Sequence, residues 1–339
     1  MVHKKIQLKD IAREVGVSTA TVSYVLNDHP MSARISEDVS ARIRQTALDL
    51  NYQPNQIAKS LKTQKTYTIG LIVADIANPF SAHMARIIED DAKKKGYTVI
   101  FGSSDENIDK AQNLINTMFN RQIDGLILAA VDKSQSQIAD ILKKGVPLVL
   151  IDRYFPMDQV SYVGIDNYGA TYEAVQLLIR NGRKRIGLIS YDTELVHLSE
   201  RNRGYLDALR DGGITADNAL IKTISLHQIR QDVERGLAEL LQAEPAVDAV
   251  LFTTNLLSIN GLRYLYQQKV AIPERLAVVA FDETDVYDFF PISITYVRQP
   301  LDELGRAASE VLISQMENKT EQAIKVNLKT TLVVGQSSG

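Results

Sequence analysis

Residues 8–27, Leu-Lys-Asp-Ile-Ala-Arg-Glu-Val-Gly-Val-Ser-Thr-Ala-Thr-Val-Ser-Tyr-Val-Leu-Asn, decide how the amino-terminal part of the chain folds. Leu8, Ile11, Ala12 and Val15 fall on one face of a helix, and Val22, Val25 and Leu26 restart that periodicity after a break. Between them Gly16 is free to take the left-handed backbone that ends a helix, Val17 plugs the corner, and the Ser18 hydroxyl caps the next amino terminus. Two short helices joined this way make a helix-turn-helix. The second helix presents Thr19, Ala20, Thr21, Ser23, Tyr24 and Asn27, short polar groups and one aromatic, where a solvated helix usually carries Glu and Lys. In helix-turn-helix proteins the amino end of such a helix enters the major groove of DNA. The pattern alone also fits a helical hairpin with no partner.

Outward from this hairpin, the spacing predicts a third helix from Glu37 to Leu50, capped by Ser36 and burying Val39, Ile43, Ala47 and Leu50. Asn51-Tyr52-Gln53-Pro54-Asn55 then ends regular structure at the proline, and a short helical stretch, Gln56 to Lys62, follows. Residues 1–62 carry nine Lys and Arg against six Asp and Glu, a balance of +3, whereas the rest of the chain carries 29 against 35, a balance of −6. A basic head on an acidic body suits a polyanionic partner for the head alone.

Taken in order, Asp10-Ile11-Ala12, Gly16-Val17-Ser18, Ala20-Thr21-Val22-Ser23, Asn27, Asn51-Tyr52, Pro54-Asn55 and Ala58 to Leu61 resemble the head of the lactose and galactose repressor (LacI/GalR) family of bacterial transcription regulators. The resemblance implies a sequence-specific regulator that binds a near-palindromic double-stranded operator as a homodimer. It places DNA contacts on Leu8, Ser18, Thr19, Ala20, Thr21, Ser23, Tyr24, Asn27, Ser36, Tyr52, Asn55, Lys59 and Leu61. In that family the stretch after Pro54 is a hinge that becomes helical on the operator, and a leucine, here Leu61, wedges into the minor groove; packing against the body is the other role open to it. Two departures bear on which operator is read. Tyr24 stands where many members carry arginine, the commonest reader of guanine. The loop from Asp28 to Ile35 is also about three residues longer than in the best-known members, which brings His29 or Arg34 within reach of the phosphate backbone.

From Thr66 onward short apolar runs alternate with amphipathic segments. Strands are expected at 67–73, 98–102, 125–130, 147–151, 162–165, 186–190, 249–253, 277–281 and 331–334, with helices at 81–95, 109–121, 168–181, 200–210 and 301–316. Runs apolar on both faces mark parallel sheets. So many strands exceed one sheet and point to two doubly wound lobes around a cleft, an α/β body behind an all-α head. The family, like type I periplasmic binding proteins, joins two such lobes by three crossovers, expected here near 157–168, 283–292 and 318–328. The predicted organisation is a head at 1–55, a hinge and linker at 56–65, and an effector-binding, dimerising body at 66–339. Within the body, lobe 1 takes about 66–160 and 293–318, and lobe 2 about 161–292 and 319–339.

Ligands of open parallel sheets sit beyond the carboxyl ends of the strands. Asp75 to Phe80, Ile151-Asp152-Arg153, Ile165-Asp166-Asn167, Thr253-Thr254-Asn255 and Phe281-Asp282 lie there, although Asp and Asn at such places also cap helices. The resemblance assigns effector binding to Arg201 and Asp282, whose planar fork and carboxylate suit vicinal hydroxyls or a purine edge. Phe80, Ser81, Asp152 and Asn255 complete the predicted pocket, and Leu256 stands where the family usually has aspartate. A sugar or sugar derivative is expected ahead of a purine or nucleoside.

Other classes fit less well. The chain has no cysteine, and its five histidines show no paired ligand spacing, so neither a metal site nor a cofactor is expected. GxGxxG, GxxxxGK[ST] and GxSxG are missing, which argues against an enzyme. No apolar run reaches the roughly 18 residues of a membrane span, and with no signal-type start the expected location is the cytoplasm. A two-lobed sugar-binding protein without specific DNA readout is the alternative reading.

Overall fold

The computed structural model describes residues 6–53, 65–318 and 322–339. The chain divides after Thr66 into two compact units.

The described residues of the head form the α-helices α1 (Leu8–Val15), α2 (Thr19–Leu26) and α3 (Glu37–Asp49). Gly16 ends α1 at φ +76°, and its amide donates to the Ala12 carbonyl. Ser18 Oγ accepts from the Thr21 amide at 3.0 Å and Ser36 Oγ from the Val39 amide at 3.4 Å, so both predicted caps are made. Ile11, Ala12, Val15, Val22, Val25, Ile43 and Ala47 form the core, with Leu8, Val17, Val39, Leu50 and Tyr52 against it. A core this small cannot lose a methyl group cheaply. The long loop is ordered as a short 3-10 turn, Pro30–Arg34. The hinge stretch with Asn55, Lys59 and Leu61 lies outside the described residues.

The body begins with β1 (Thr68–Val73), α4 (Pro79–Lys94), β2 (Thr98–Ser103), α5 (Ile108–Asn120), β3 (Gly125–Leu128), α6 (Gln135–Lys143), β4 (Leu148–Ile151) and β5 (Ser161–Ile165). It continues with α7 (Asn167–Arg180), β6 (Ile186–Tyr191), α8 (Val196–Asp211), β7 (Ile221–Ile224), α9 (Ile229–Gln242), β8 (Ala249–Phe252), α10 (Asn255–Gln267), β9 (Ala277–Phe281) and β10 (Thr295–Arg298). The last elements are α11 (Leu301–Asn318), β11 (Lys325–Leu328) and β12 (Thr331–Val333). Two six-stranded sheets result, ordered β11-β5-β4-β3-β1-β2 and β12-β10-β9-β8-β6-β7. All neighbours run parallel except the antiparallel pair β10 and β12. No described helix is long and apolar enough to cross a membrane.

One apolar cluster runs through both lobes, joining the inner faces of the two sheets to α4, α7, α8 and α11. Two further clusters fill the outer face of each sheet. Helices α7 and α8 approach so closely at Gly204 that a Cβ there would stand 2.4 Å from the Tyr168 carbonyl oxygen.

The lobe boundaries differ from those expected. β5 pairs with β4 and β11 with β5, so residues 161–165 and 325–328 belong to lobe 1. β10 pairs with β9 and places 295–298 in lobe 2. The chain therefore crosses at 165–167, 298–301 and 328–331, and the second and third crossings fall later than the expected 283–292 and 318–328. The cause is local. β10 and β11 have four residues each and are only partly buried, so no continuous apolar run announces them.

Candidate functional site

On α2, Thr19 and Ala20 are exposed, while Thr21, Ser23 and Tyr24 are half-buried. The predicted reading groups are partly tied to one another. Ser18 Oγ and Thr21 Oγ1 lie 2.8 Å apart, and Asn27 Nδ2 donates to the Ser23 carbonyl at 2.8 Å. The Tyr24 ring stacks on His29, centroids 4.7 Å apart. Leu8 and Tyr52 rest against the head core, and Ser36 serves as a cap, so each has a structural role irrespective of DNA.

The body holds a cleft of about 250 Å³ between its lobes, and all six predicted effector residues, Phe80, Ser81, Asp152, Arg201, Asn255 and Asp282, line it. They arrive from the carboxyl ends of strands and the first turns of helices, where the alternation of β and α places polar side chains. Asp152 after β4 and Asp282 after β9 make the same excursion in the two lobes, to φ +63° and +69°. Aspartate tolerates this left-handed backbone better than most residues.

Arg201 on α8 is 2% exposed. Its Nε donates to Asn167 Oδ1 at 2.8 Å and its Nη1 to the Thr253 carbonyl, and its guanidinium lies 3.6 Å from the Phe281 ring centroid. Burial weakens its hold on the proton, and the Asp282 and Asp152 carboxylates oppose that loss. Asp282 in turn accepts from Gln299 Nε2 at 2.6 Å and from the Asn255 amide at 3.3 Å. Its pKa is nevertheless raised, because desolvation outweighs these partners. Asp152 is pushed up to about 6, again by burial first, with Arg153 and Arg201 holding it back. Arg153 is tied to Glu106 through Nη1 and Oε2 at 2.5 Å, and its Nε stands 3.8 Å from Asp152. Arg153 is thus ion-paired within the protein, and Arg201 is hydrogen-bonded to neutral groups in the field of two carboxylates.

Two asparagines bridge the lobes. Asn255 Nδ2 donates to Asn78 Oδ1 at 2.7 Å, and Asn78 Nδ2 returns a bond to Asn255 Oδ1 at 3.3 Å. Other polar groups in the cleft lack partners among the described residues. His197 Nδ1 and Gln299 Oε1 are buried without a hydrogen bond, and Tyr191 Oη and Thr254 Oγ1 neighbour one another without closing one of normal geometry. Burial, then the two arginines, keep His197 well below the ordinary histidine pKa, so it is a neutral imidazole. A buried polar atom without a partner is costly unless a bound molecule satisfies it.

Residues 7–55 match the family described as bacterial regulatory proteins, lacI family, and residues 66–333 match the periplasmic binding proteins and sugar binding domain of the LacI family. The chain belongs to the LacI family. It is therefore a transcription regulator with a helix-turn-helix DNA-binding head. Among LacI-family relatives, catabolite control protein A of Priestia megaterium is 29% identical, over 98% of this chain and 99% of that protein. The ribose operon repressor of Escherichia coli strain K12 is 28% identical, over 96% of this chain and 98% of its own length. The solved structure of the transcriptional regulator CelR in complex with cellobiose is 27% identical and superposes with a TM-score of 0.74, covering 98% of this chain and all of that one. The lac repressor dimer bound to operator and the anti-inducer ONPF, 19% identical, shares the fold at a TM-score of 0.86 over 99% of both chains.

Within this LacI-family cleft, sequence reasoning missed Glu106, Tyr191, His197 and Gln299 as lining residues. Tyr191 directly follows the run expected as a strand at 186–190, so the rule that found Asp152 and Asp282 reaches it, and it reaches Gln299 once β10 is located. Glu106, in the turn after β2, and the lone His197 give no such signal. Leu256, the departure from the family pattern, is among the apolar residues that line the cleft, as are Leu226 and Ile229.

Proposed function

We propose that this chain is a homodimeric repressor that reads a near-palindromic operator, with an affinity set by a neutral monosaccharide bound between the lobes. The observation that carries the ligand assignment is the excess of carboxylates over arginines in the cleft. Arg153 is held by Glu106, and Arg201, bonded to Asn167 and the Thr253 carbonyl, feels the charges of Asp282 and Asp152. Five carboxylates, Asp75, Asp105, Glu106, Asp152 and Asp282, line the cleft against these two arginines. Such a field repels a phosphate or carboxylate group and favours hydroxyls, which accept from the guanidinium and donate to the carboxylates. About 250 Å³ is roughly eight waters' worth of space, room for one sugar ring. The names of the relatives support a neutral sugar, since one represses a ribose operon and another was solved with the disaccharide cellobiose, and the size of the cleft favours a single ring here.

The DNA half rests on α2. Two copies of one short helix double the bases read and fix the half-site spacing, in keeping with the operator-bound lac repressor dimer that shares this fold. A thermal-shift screen of the full chain against pentoses, hexoses, disaccharides, sugar phosphates and purines tests the ligand, because a molecule selective for the native state raises its stability. The expected result is a rise with one neutral monosaccharide that also changes operator retention in a gel shift. Stabilisation by sugar phosphates or purines alone overturns the assignment.

A further inference from the structure

We propose that Tyr24 and His29 form one preassembled reading unit, in which His29 Nε2–H and the Tyr24 hydroxyl both meet base edges, so that the lengthened turn after the recognition helix takes part in operator choice. The proposal rests on the DNA-reading function given above. Ala20 and Tyr24 are four residues apart and share a stripe of α2, and Ala20 is exposed. His29, beyond the end of that helix, extends the stripe by stacking on Tyr24 with ring centroids 4.7 Å apart and planes at 25°. Neither ring belongs to the head core.

The pair is fixed from several directions. The His29 amide donates to the Tyr24 carbonyl at 3.0 Å, and the Ser32 amide to the His29 carbonyl at 2.7 Å. The Met31 amide donates to His29 Nδ1 at 3.2 Å. An Nδ1 that accepts a hydrogen bond leaves the ring proton on Nε2, so the outward nitrogen of the neutral ring is a donor. Pro30 sets the first residue of the 3-10 turn, and Asp28 is tied to Arg44 on α3 at 2.9 Å. Neither the Tyr24 hydroxyl nor His29 Nε2 has a partner among the described residues, so both donors are available to the acceptors that guanine and thymine display in the major groove. A tyrosine left to swing would meet several bases; one held by its neighbour favours a single register, and its ordering is complete before DNA arrives.

Selection from a randomised duplex pool with the full chain and three variants tests this. Tyr24→Phe keeps the stack and removes one hydroxyl, His29→Phe keeps the stack and removes the Nε2 donor, and His29→Ala removes both stack and donor. The expected result is a five- to tenfold loss of preference at one half-site position for Tyr24→Phe, at a second for His29→Phe, and at both for His29→Ala. Melting curves identical to the parent show that the fold is retained. Variants that enrich the parent's operator unchanged overturn the proposal. So does uniform weakening across all sequences with a shallower salt dependence, which marks a phosphate contact. A parent chain that enriches no inverted repeat removes the DNA reading itself, whereas the other two outcomes remove this proposal alone.

Discussion

On the recognition helix Thr19 and Ala20 stand exposed and the Tyr24 hydroxyl has no partner among the described residues, whereas in the cleft Arg201 is 2% exposed and bonded to Asn167, Thr253 and the face of Phe281. Both regions are polar, yet the head ties its groups only to near neighbours at the surface, and the body holds its charges in a buried network before any ligand arrives. The difference follows from the partner each must meet. A polyanion is met by exposed groups in a screened, wet surface, where long-range charge does much of the work. The neutral small molecule proposed for the cleft needs atoms held to fractions of an ångström in a dry recess, where buried charges are stable only if compensated.

Salt separates the two regions most sharply. Raising salt from 50 to 200 mM should weaken operator binding by about a thousandfold or more if six or more phosphates are contacted, while sugar affinity, measured by calorimetry on the same protein, changes little. Comparable losses in both measurements would erase the distinction. Next in size is Arg201→Ala. It removes the cation beside Asp282 and one of the two beside Asp152, and empties a buried site of its hydrogen bonds, so stability should fall by about 3–5 kcal/mol in denaturant titrations, with the effector response abolished. A loss of response with unchanged stability would mean that Arg201 is less integrated than its bonds imply.

A third effect lies in pH. Burial raises Asp152 to about 6 in the folded protein, above its ordinary value near 4, so the folded state holds this proton more tightly than the unfolded one. The stabilisation this gives is full below pH 4, is lost as the pH rises from 4 to 6, and is absent above. Sugar binding runs the opposite way if the ligand donates to the carboxylate. Affinity should be flat above pH 7 and fall about tenfold for each unit well below 6, and Asp152→Asn should remove that slope. Smallest is the head's own capping. Ser18→Ala frees the Thr21 amide and should lower the stability of the head by about 1 kcal/mol without moving the melting of the body.

The sequence was most informative where one side chain carries a strong local preference. Gly16 and Ser18 announced the corner of the head, and Ser36 the start of α3, because left-handed backbone and amide caps depend on near neighbours alone. Asp152 and Asp282 were legible at one remove, since the apolar runs of β4 and β9 locate the strand ends that display them. Arg201 became a candidate through resemblance, as nothing in its own neighbourhood separates it from a solvated helix arginine. What escaped depended on long-range pairing. β7, β10 and β11 are four-residue strands with mixed burial, stabilised by neighbours distant in the chain. With β10 unseen, Gln299 had no strand to follow, and with β11 unseen the last crossover was placed too early. Glu106 meets Arg153 across 47 residues, a partnership that no local pattern encodes.

The reciprocal bridge between Asn78 and Asn255 has a consequence for how the lobes move. Each amide both gives and receives, so parting the lobes trades two bonds within the protein for two with solvent, and the net contribution of such a bond is only about 0.5–1.5 kcal/mol. As a fastening it is self-complementary and cheap to undo, so this contact by itself resists parting by no more than a ligand's usual allosteric coupling of about 1–3 kcal/mol can offset.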